Sequence, residues 1–285
     1  MSSLTPCKLF FVFSAVALAQ GPIKSSRLVL PDTTSSNTGV IYKGSSPFIH
    51  NFHHPTGRNA VPEGQNLFIG INAGNFTMGS TADNTWESSY NTAVGIWSLS
   101  NNTTGYRNTA LGTWSLYSNT TRLQDTALGT WSLYNNTTGT ENTAVGIWSL
   151  SNNTTGYRNT AIGLSAGGSL ADGSSPNQTS NNSVYLGAAT KALADGDTNE
   201  IVIGYNATGA GSNTVTLGNT AITLTVLRGQ VQLGTEARWA SGTEGTCNAS
   251  NRGRVVMVYG GAGVADTFRV CVKDATDTYA WKTLY

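Results

Sequence analysis

Hydrophobic and polar positions in the middle of this chain recur with a period of 17 residues. Each unit opens with Asn or Asp, then Thr-Ala, then Val, Leu or Ile, then Gly. The units begin at Asn91, Asn108, Asp125, Asn142 and Asn159. Gly95, Gly112, Gly129, Gly146 and Gly163 form one column of equivalent positions. Trp97, Trp114, Trp131 and Trp148 form a second, and Leu99, Leu116, Leu133 and Leu150 a third. Evenly spaced copies without insertions mark a repeat architecture.

The unit predicts a short strand followed by a reversal. Read at period two, one face of Asn91 to Leu99 carries Ala93, Gly95, Trp97 and Leu99. The other carries Thr92, Val94, Ile96 and Ser98. Both faces are partly apolar, so cover is expected on each side. Asn101-Asn102-Thr103-Thr104-Gly105 supplies the turn: Asn and Gly tolerate positive φ, and Asn and Thr cap local backbone groups. One coil cannot bury its own apolar column, but stacked coils can, about 4.8 Å apart. A thin roll leaves the second face over, which predicts parallel self-association with closed symmetry. A monomeric solenoid with a dry two-sided core is the alternative.

Looser copies flank the regular ones. Asn66-Leu67-Phe68-Ile69-Gly70 lies upstream. Downstream are Ser183 to Gly187, Glu200 to Gly204 and Thr214 to Gly218, with glycine steps of 24, 17 and 14 residues. Insertions such as Gly167 to Asn182 are expected to be surface loops. The expected layout is a leader at 1–19, a lead-in at 20–65, a β-solenoid at 66–227 and a small β module at 228–285.

Composition agrees with short strands and many turns. Only 11% of residues are charged, against about 25% in an ordinary soluble domain. Asn, Thr, Ser and Gly take their place. The net charge is +1 and no basic block occurs, which argues against nucleic-acid binding and against an anionic-membrane patch. Lys8, the apolar run Leu9 to Ala19 and the small residues Ala17-Leu18-Ala19 predict a secretory leader cleaved near Ala19–Gln20. That run is too short to span a bilayer. Its removal takes Cys7 away and leaves Cys247 and Cys271, an even pair that suggests a disulfide in an exported chain. Two free buried thiols are the alternative.

Catalytic chemistry is sparse. His50, His53 and His54 cluster without a carboxylate, which favours a solvated or interface group over a metal site. Gly260-Gly261-Ala262-Gly263 lacks the Gly-Lys-Ser/Thr of a phosphate loop. There is no nucleophile elbow and no paired carboxylates. The expectation is a non-enzyme without cofactor or metal. Sequons at Asn75, Asn102, Asn119, Asn136, Asn153 and Asn206 are candidates for glycosylation, though the turns require Asn and Thr in any case.

After Gly229 the composition changes. Val255 to Tyr259 and Thr267 to Lys273 predict a hairpin, with a last strand from Tyr279 to Leu284. A cap so small benefits from a Cys247–Cys271 staple. Its expected role is to close the last coil, since open solenoid ends invite edge pairing.

The repeat Asn-Thr-Ala-Val-Gly-Ile-Trp-Ser-Leu-Ser-Asn-Asn-Thr-Thr-Gly resembles the NTAxG repeats of bacterial secreted surface proteins and phage tail fibres. Val184 to Gly187 and Val215 to Gly218 resemble the coils of trimeric autotransporter adhesin heads. Val40 to Phe52 and Asn72 to Met78 look like the lead-in of the bacterial secreted group. The likeness covers about residues 28–227. It implies a left-handed parallel β-roll, usually homotrimeric, acting in attachment or as a spacer. Neither a coiled-coil stalk nor a barrel-sized set of strands follows residue 227, and phage fibres carry no secretory leader. The resulting expectation is a secreted or cell-surface, adhesin-like fibre. Its partners would be copies of itself, surface glycans, or host or matrix proteins. A structural spacer without ligand, a viral tail-fibre-type receptor binder and an ice-binding solenoid are the alternatives.

Overall fold

A computed structural model describes residues 30–121, 123–226, 228, 239–240, 247–249, 252, 255–259, 267–274, 276 and 278–283. The expected leader, Cys7 and Gly260 to Gly263 lie outside the described residues. The chain divides into one unit ending at Ile222 and a second beginning at Thr223.

The first unit is all-β. β1 (Ile41–Lys43) and β2 (Ser46–His50) form an antiparallel hairpin, and β2 pairs antiparallel with β3 (Leu67–Ile69). From there every step is parallel: β4 (Thr92–Val94), β5 (Thr109–Leu111), β6 (Thr126–Leu128), β7 (Thr143–Val145) and β8 (Thr160–Ile162). β9 (Ser169–Leu170) leaves this sheet and pairs with β11 (Lys191–Ala192). The main sheet continues through β10 (Val184–Leu186), β12 (Ile201–Ile203) and β13 (Val215–Leu217), giving 11 strands. Parallel pairing in sequence order, Ala93 against Ala110 against Ala127, makes this part a β-solenoid.

Period two holds only across the three strand residues. Thr92 and Val94 face out, and Ala93 is fully buried. Beyond them the expected face dissolves, because the backbone turns into the left-handed region at Gly95 (φ 142°), Trp97 (φ 59°) and Leu99 (φ 54°). Leu99 and Ser98 therefore point inward together, while Trp97 points out. The positive φ expected within Asn101 to Gly105 falls instead on Trp97, Leu99 and Arg107. Left-handed backbone is costly for residues other than Gly. Here the adjacent coils hold it: Trp97 N–H donates to the Ile71 carbonyl at 2.9 Å and Leu99 N–H to Ser115 at 3.1 Å.

Gly112 shows why the glycine column admits no side chain. A Cβ there would lie 2.6 Å from the carbonyl carbon of Gly129, the equivalent residue one coil on. Coils pack backbone to backbone along this line.

The interior is half apolar and half polar. Ala93, Ala110, Ala127, Ala144 and Ala161 alternate with Leu99, Leu116, Leu133 and Leu150, all buried. Beside them runs a ladder in which each side-chain oxygen accepts the backbone N–H that opens the next coil. It passes from Asn66 through Asn91, Asn108, Asp125, Asn142 and Asn159 to Ser183 and Glu200, at 2.8–3.1 Å. The turn expected at 101–105 is closed by Asn102, whose amide donates to the Gly105 carbonyl at 2.8 Å; Asn136 and Asn153 repeat the bond. Buried polar groups persist because each finds such a partner.

Insertions behave unequally. Residues 171–174 are exposed, as expected of a surface loop, but Asn177 returns to the interior and bonds the Gly167 carbonyl. The 74–90 segment packs Met78 and Ala82 into the core.

In the second unit, β14 (Trp239–Ala240) pairs parallel with β15 (Val255–Tyr259). β15, β16 (Thr267–Lys273) and β17 (Tyr279–Thr283) form an antiparallel meander. The predicted hairpin forms with its expected bounds. Cys247 and Cys271 are disulfide-bonded, with Cα atoms 5.4 Å apart.

Candidate interaction surface

The repeat columns build a continuous outer face on the solenoid. The strands turn Thr92, Thr109, Thr126, Thr143 and Thr160 outward in one column. Beside it stand Val94, Leu111, Leu128, Val145 and Ile162, continued by Leu186, Ile203 and Leu217. Leu111 is 47% exposed and Leu217 51%. The next column holds Ile96, Thr113, Thr130, Ile147 and Leu164, of which Ile147 is half exposed. None of these positions carries a charge.

The tryptophan column borders that face. Its indoles stack in order, Trp97 on Trp114 at 5.7 Å between ring centroids, Trp114 on Trp131 at 5.5 Å and Trp131 on Trp148 at 4.8 Å, with planes within 13° of parallel. Tyr117 and Tyr134 stack at 5.3 Å; Tyr117 sets its edge against Trp114 and Tyr134 packs tilted against Trp131. The ring faces are spent on one another, so the ladder offers outward edges. Sugar rings dock on open aromatic faces, which this ladder lacks between its ends. Its shape suits interdigitation with apolar side chains of matching period. The left-handed φ at Trp97, Trp114, Trp131 and Trp148 is what aims the indoles outward.

The opposite corner, just before the strand, is polar and aromatic. Tyr90, Arg107, Gln124, Glu141 and Arg158 form another left-handed column. The Arg158 guanidinium lies 2.8 Å from Glu141. Arg107 lies over the rings of Tyr90 and Tyr106. The 17-residue count reaches this column too, but its mixed chemistry hides it beside the constant Gly, Trp and Leu columns.

The histidines do not converge. His50 is buried between Phe68 and Phe76, its Nε2 bonds the Ala73 carbonyl at 2.8 Å, and desolvation pushes its pKa down to about 4. His54 Nδ1 accepts from the backbone N–H of Gly57 at 3.0 Å. Among the described residues no group of three His, Cys, Asp or Glu is placed to hold a metal.

The named sequons separate by burial. Asn102, Asn119, Asn136 and Asn153 are interior, whereas Asn206 is exposed. No protein-family model, curated protein or solved structure matches this chain.

Proposed function

We propose that this chain is a secreted or cell-surface, adhesin-like fibre whose β-solenoid associates as a parallel homotrimer and mediates attachment. The observation that carries the proposal is the uncharged apolar face, repeated on every coil and bordered by the Trp97–Trp148 ladder. Large contiguous apolar surface is characteristic of interfaces. A face with a fixed strand-spaced period is best complemented by another with the same period, and an identical chain supplies one. Cyclic symmetry then buries the face on every copy. The disulfide supports an oxidising compartment, in keeping with the leader expected at 1–19. Surface glycans or host and matrix proteins are the partners.

Light scattering on residues 20–285 under non-reducing conditions tests the assembly. Three chains per particle is the expected mass. A monomer would overturn the trimer and move the reading to a self-contained solenoid, with thermal hysteresis then separating a spacer from an ice binder. Selective adhesion of the purified protein to cells or extracellular matrix tests attachment.

A further inference from the structure

The corner before the strands holds a depression of about 270 Å³, lined by Glu63, Trp86, Tyr90, Tyr106 and Arg107. It forms where the 74–90 insertion folds back beside the first regular coils. Trp86, on that insertion, is 44% exposed. Arg107 is held by aromatic rings: its guanidinium carbon is 6.0 Å from the centre of Tyr90 and 5.7 Å from that of Tyr106. Where Arg158 finds Glu141 one coil earlier, Arg107 finds Tyr90. Among the described residues Arg107 makes no ion pair, so its guanidinium N–H groups remain available to a ligand. Glu63 is already committed. It accepts from Thr85 Oγ1 at 2.9 Å and from the Tyr90 hydroxyl.

We infer that this depression is a binding subsite for one neutral sugar unit of a glycan. The apolar face of the sugar lies on the Trp86 indole, and its hydroxyl oxygens accept from Arg107. Three features select that ligand. An exposed indole beside a planar, multiply donating guanidinium fits a ring with one apolar face and an oxygen-rich edge. Glu63 and Arg107 line the same depression with opposite formal charges, so it carries no net charge, which favours a neutral ring over an anion. The volume lies just below the range of drug-sized pockets, which suits a single ring. This inference rests on the attachment reading and gives it a ligand class.

The test is a glycan array of neutral and acidic saccharides, probed with the mature chain and with Trp86→Ala, Arg107→Ala and Arg158→Ala variants. Wild type should bind a neutral set. Trp86→Ala and Arg107→Ala should each weaken binding about tenfold or more, with particle mass and melting unchanged. Arg158→Ala, in the same column but away from the depression, should bind as wild type. Glycan binding that survives both substitutions, or is restricted to acidic glycans, overturns the subsite and leaves attachment standing. Adhesion to cells without any glycan binding does the same. Absence of both glycan binding and adhesion overturns the subsite together with the attachment reading.

Discussion

The ring of Tyr185 occupies the space that a side chain at Gly167 would need: a Cβ there would sit 2.6 Å from Tyr185 Cδ2. In the regular coils a small strand residue is matched by a leucine six positions on, as Ala144 is by Leu150. The position six on from Ala161 is instead Gly167, because the Tyr185 ring of the next coil fills the space a leucine would take. Gly74, six positions on from Phe68, yields to an aromatic ring of its own coil: a Cβ there would lie 2.7 Å from Phe68 Cδ1. Gly167→Ala should therefore destabilise by about 1–3 kcal/mol from overpacking, with strain added by its φ of 64°. Thermal unfolding by circular dichroism measures this. Combining it with Tyr185→Leu should be less than additive, because the two changes share one space.

Gly112→Ala and Gly173→Ala separate crowding from backbone strain. Both glycines have positive φ, but a Cβ at Gly112 meets the Gly129 backbone, whereas at Gly173 nothing lies within 4 Å. Gly173→Ala should cost about 1 kcal/mol, the conformational term alone. Gly112→Ala must push two coils apart, so a much lower melting temperature or insoluble expression is expected. Equal melting temperatures would contradict the glycine spine.

Asp125 is a carboxylate in a column of asparagines. Burial raises its pKa to about 7, helped by repulsion from Glu141 and opposed by hydrogen bonds from Asn142 and Asn136. It also takes the Asn136 amide, at 2.9 Å, while Asn119 Oδ1 lacks a partner among the described residues. Because the folded pKa lies above the unfolded one, the contribution is complete below about pH 4 and is lost as pH rises through about 7. Relative to Asp125→Asn, wild type should lose on the order of 4 kcal/mol across that window. Denaturant titrations of both proteins from pH 4 to 8 check it. Parallel pH profiles would show that Asp125 does not titrate there.

Expression in a eukaryotic secretory host should give folded protein glycosylated at Asn206 and unmodified at Asn102, Asn119, Asn136 and Asn153. Glycopeptide mass spectrometry reads the occupancy. A glycan on one of the four interior residues in natively folded material is incompatible with their burial.

Replacing Cys247 and Cys271 by serine removes a link across a separation of 24 residues. A loss of about 3 kcal/mol is expected in the second unit, with the solenoid transition unchanged because its core contains neither cysteine. Differential scanning calorimetry separates the two transitions.

Much of this arrangement was legible in the sequence. Copies at one spacing carry their own register, so Thr92 against Thr109 could be read by counting alone. The hairpin of Val255–Tyr259 with Thr267–Lys273 was legible as two β-rich runs around glycines. The direction of Trp97 and Leu99 was not. Propensity assigns left-handed backbone to Gly and Asn, and here Trp and Leu adopt it because neighbouring coils supply the hydrogen bonds. The Asn102 column reads as turn chemistry, and only the packed coils reveal it as interior structure. The depression at Arg107 depends on a fold-back of residues 74–90 that no repeat count encodes.

The glycine spine and the asparagine ladder hold each coil to its neighbours by the same bonds. Removing or duplicating one whole 17-residue unit preserves the contact types of the glycine, alanine, leucine and asparagine columns. The reach of the solenoid is thus a counted quantity, changing in steps of about 4.8 Å. Slippage or recombination in the repetitive coding sequence can lengthen or shorten it without reshaping its sides, so reach and surface chemistry are free to evolve separately.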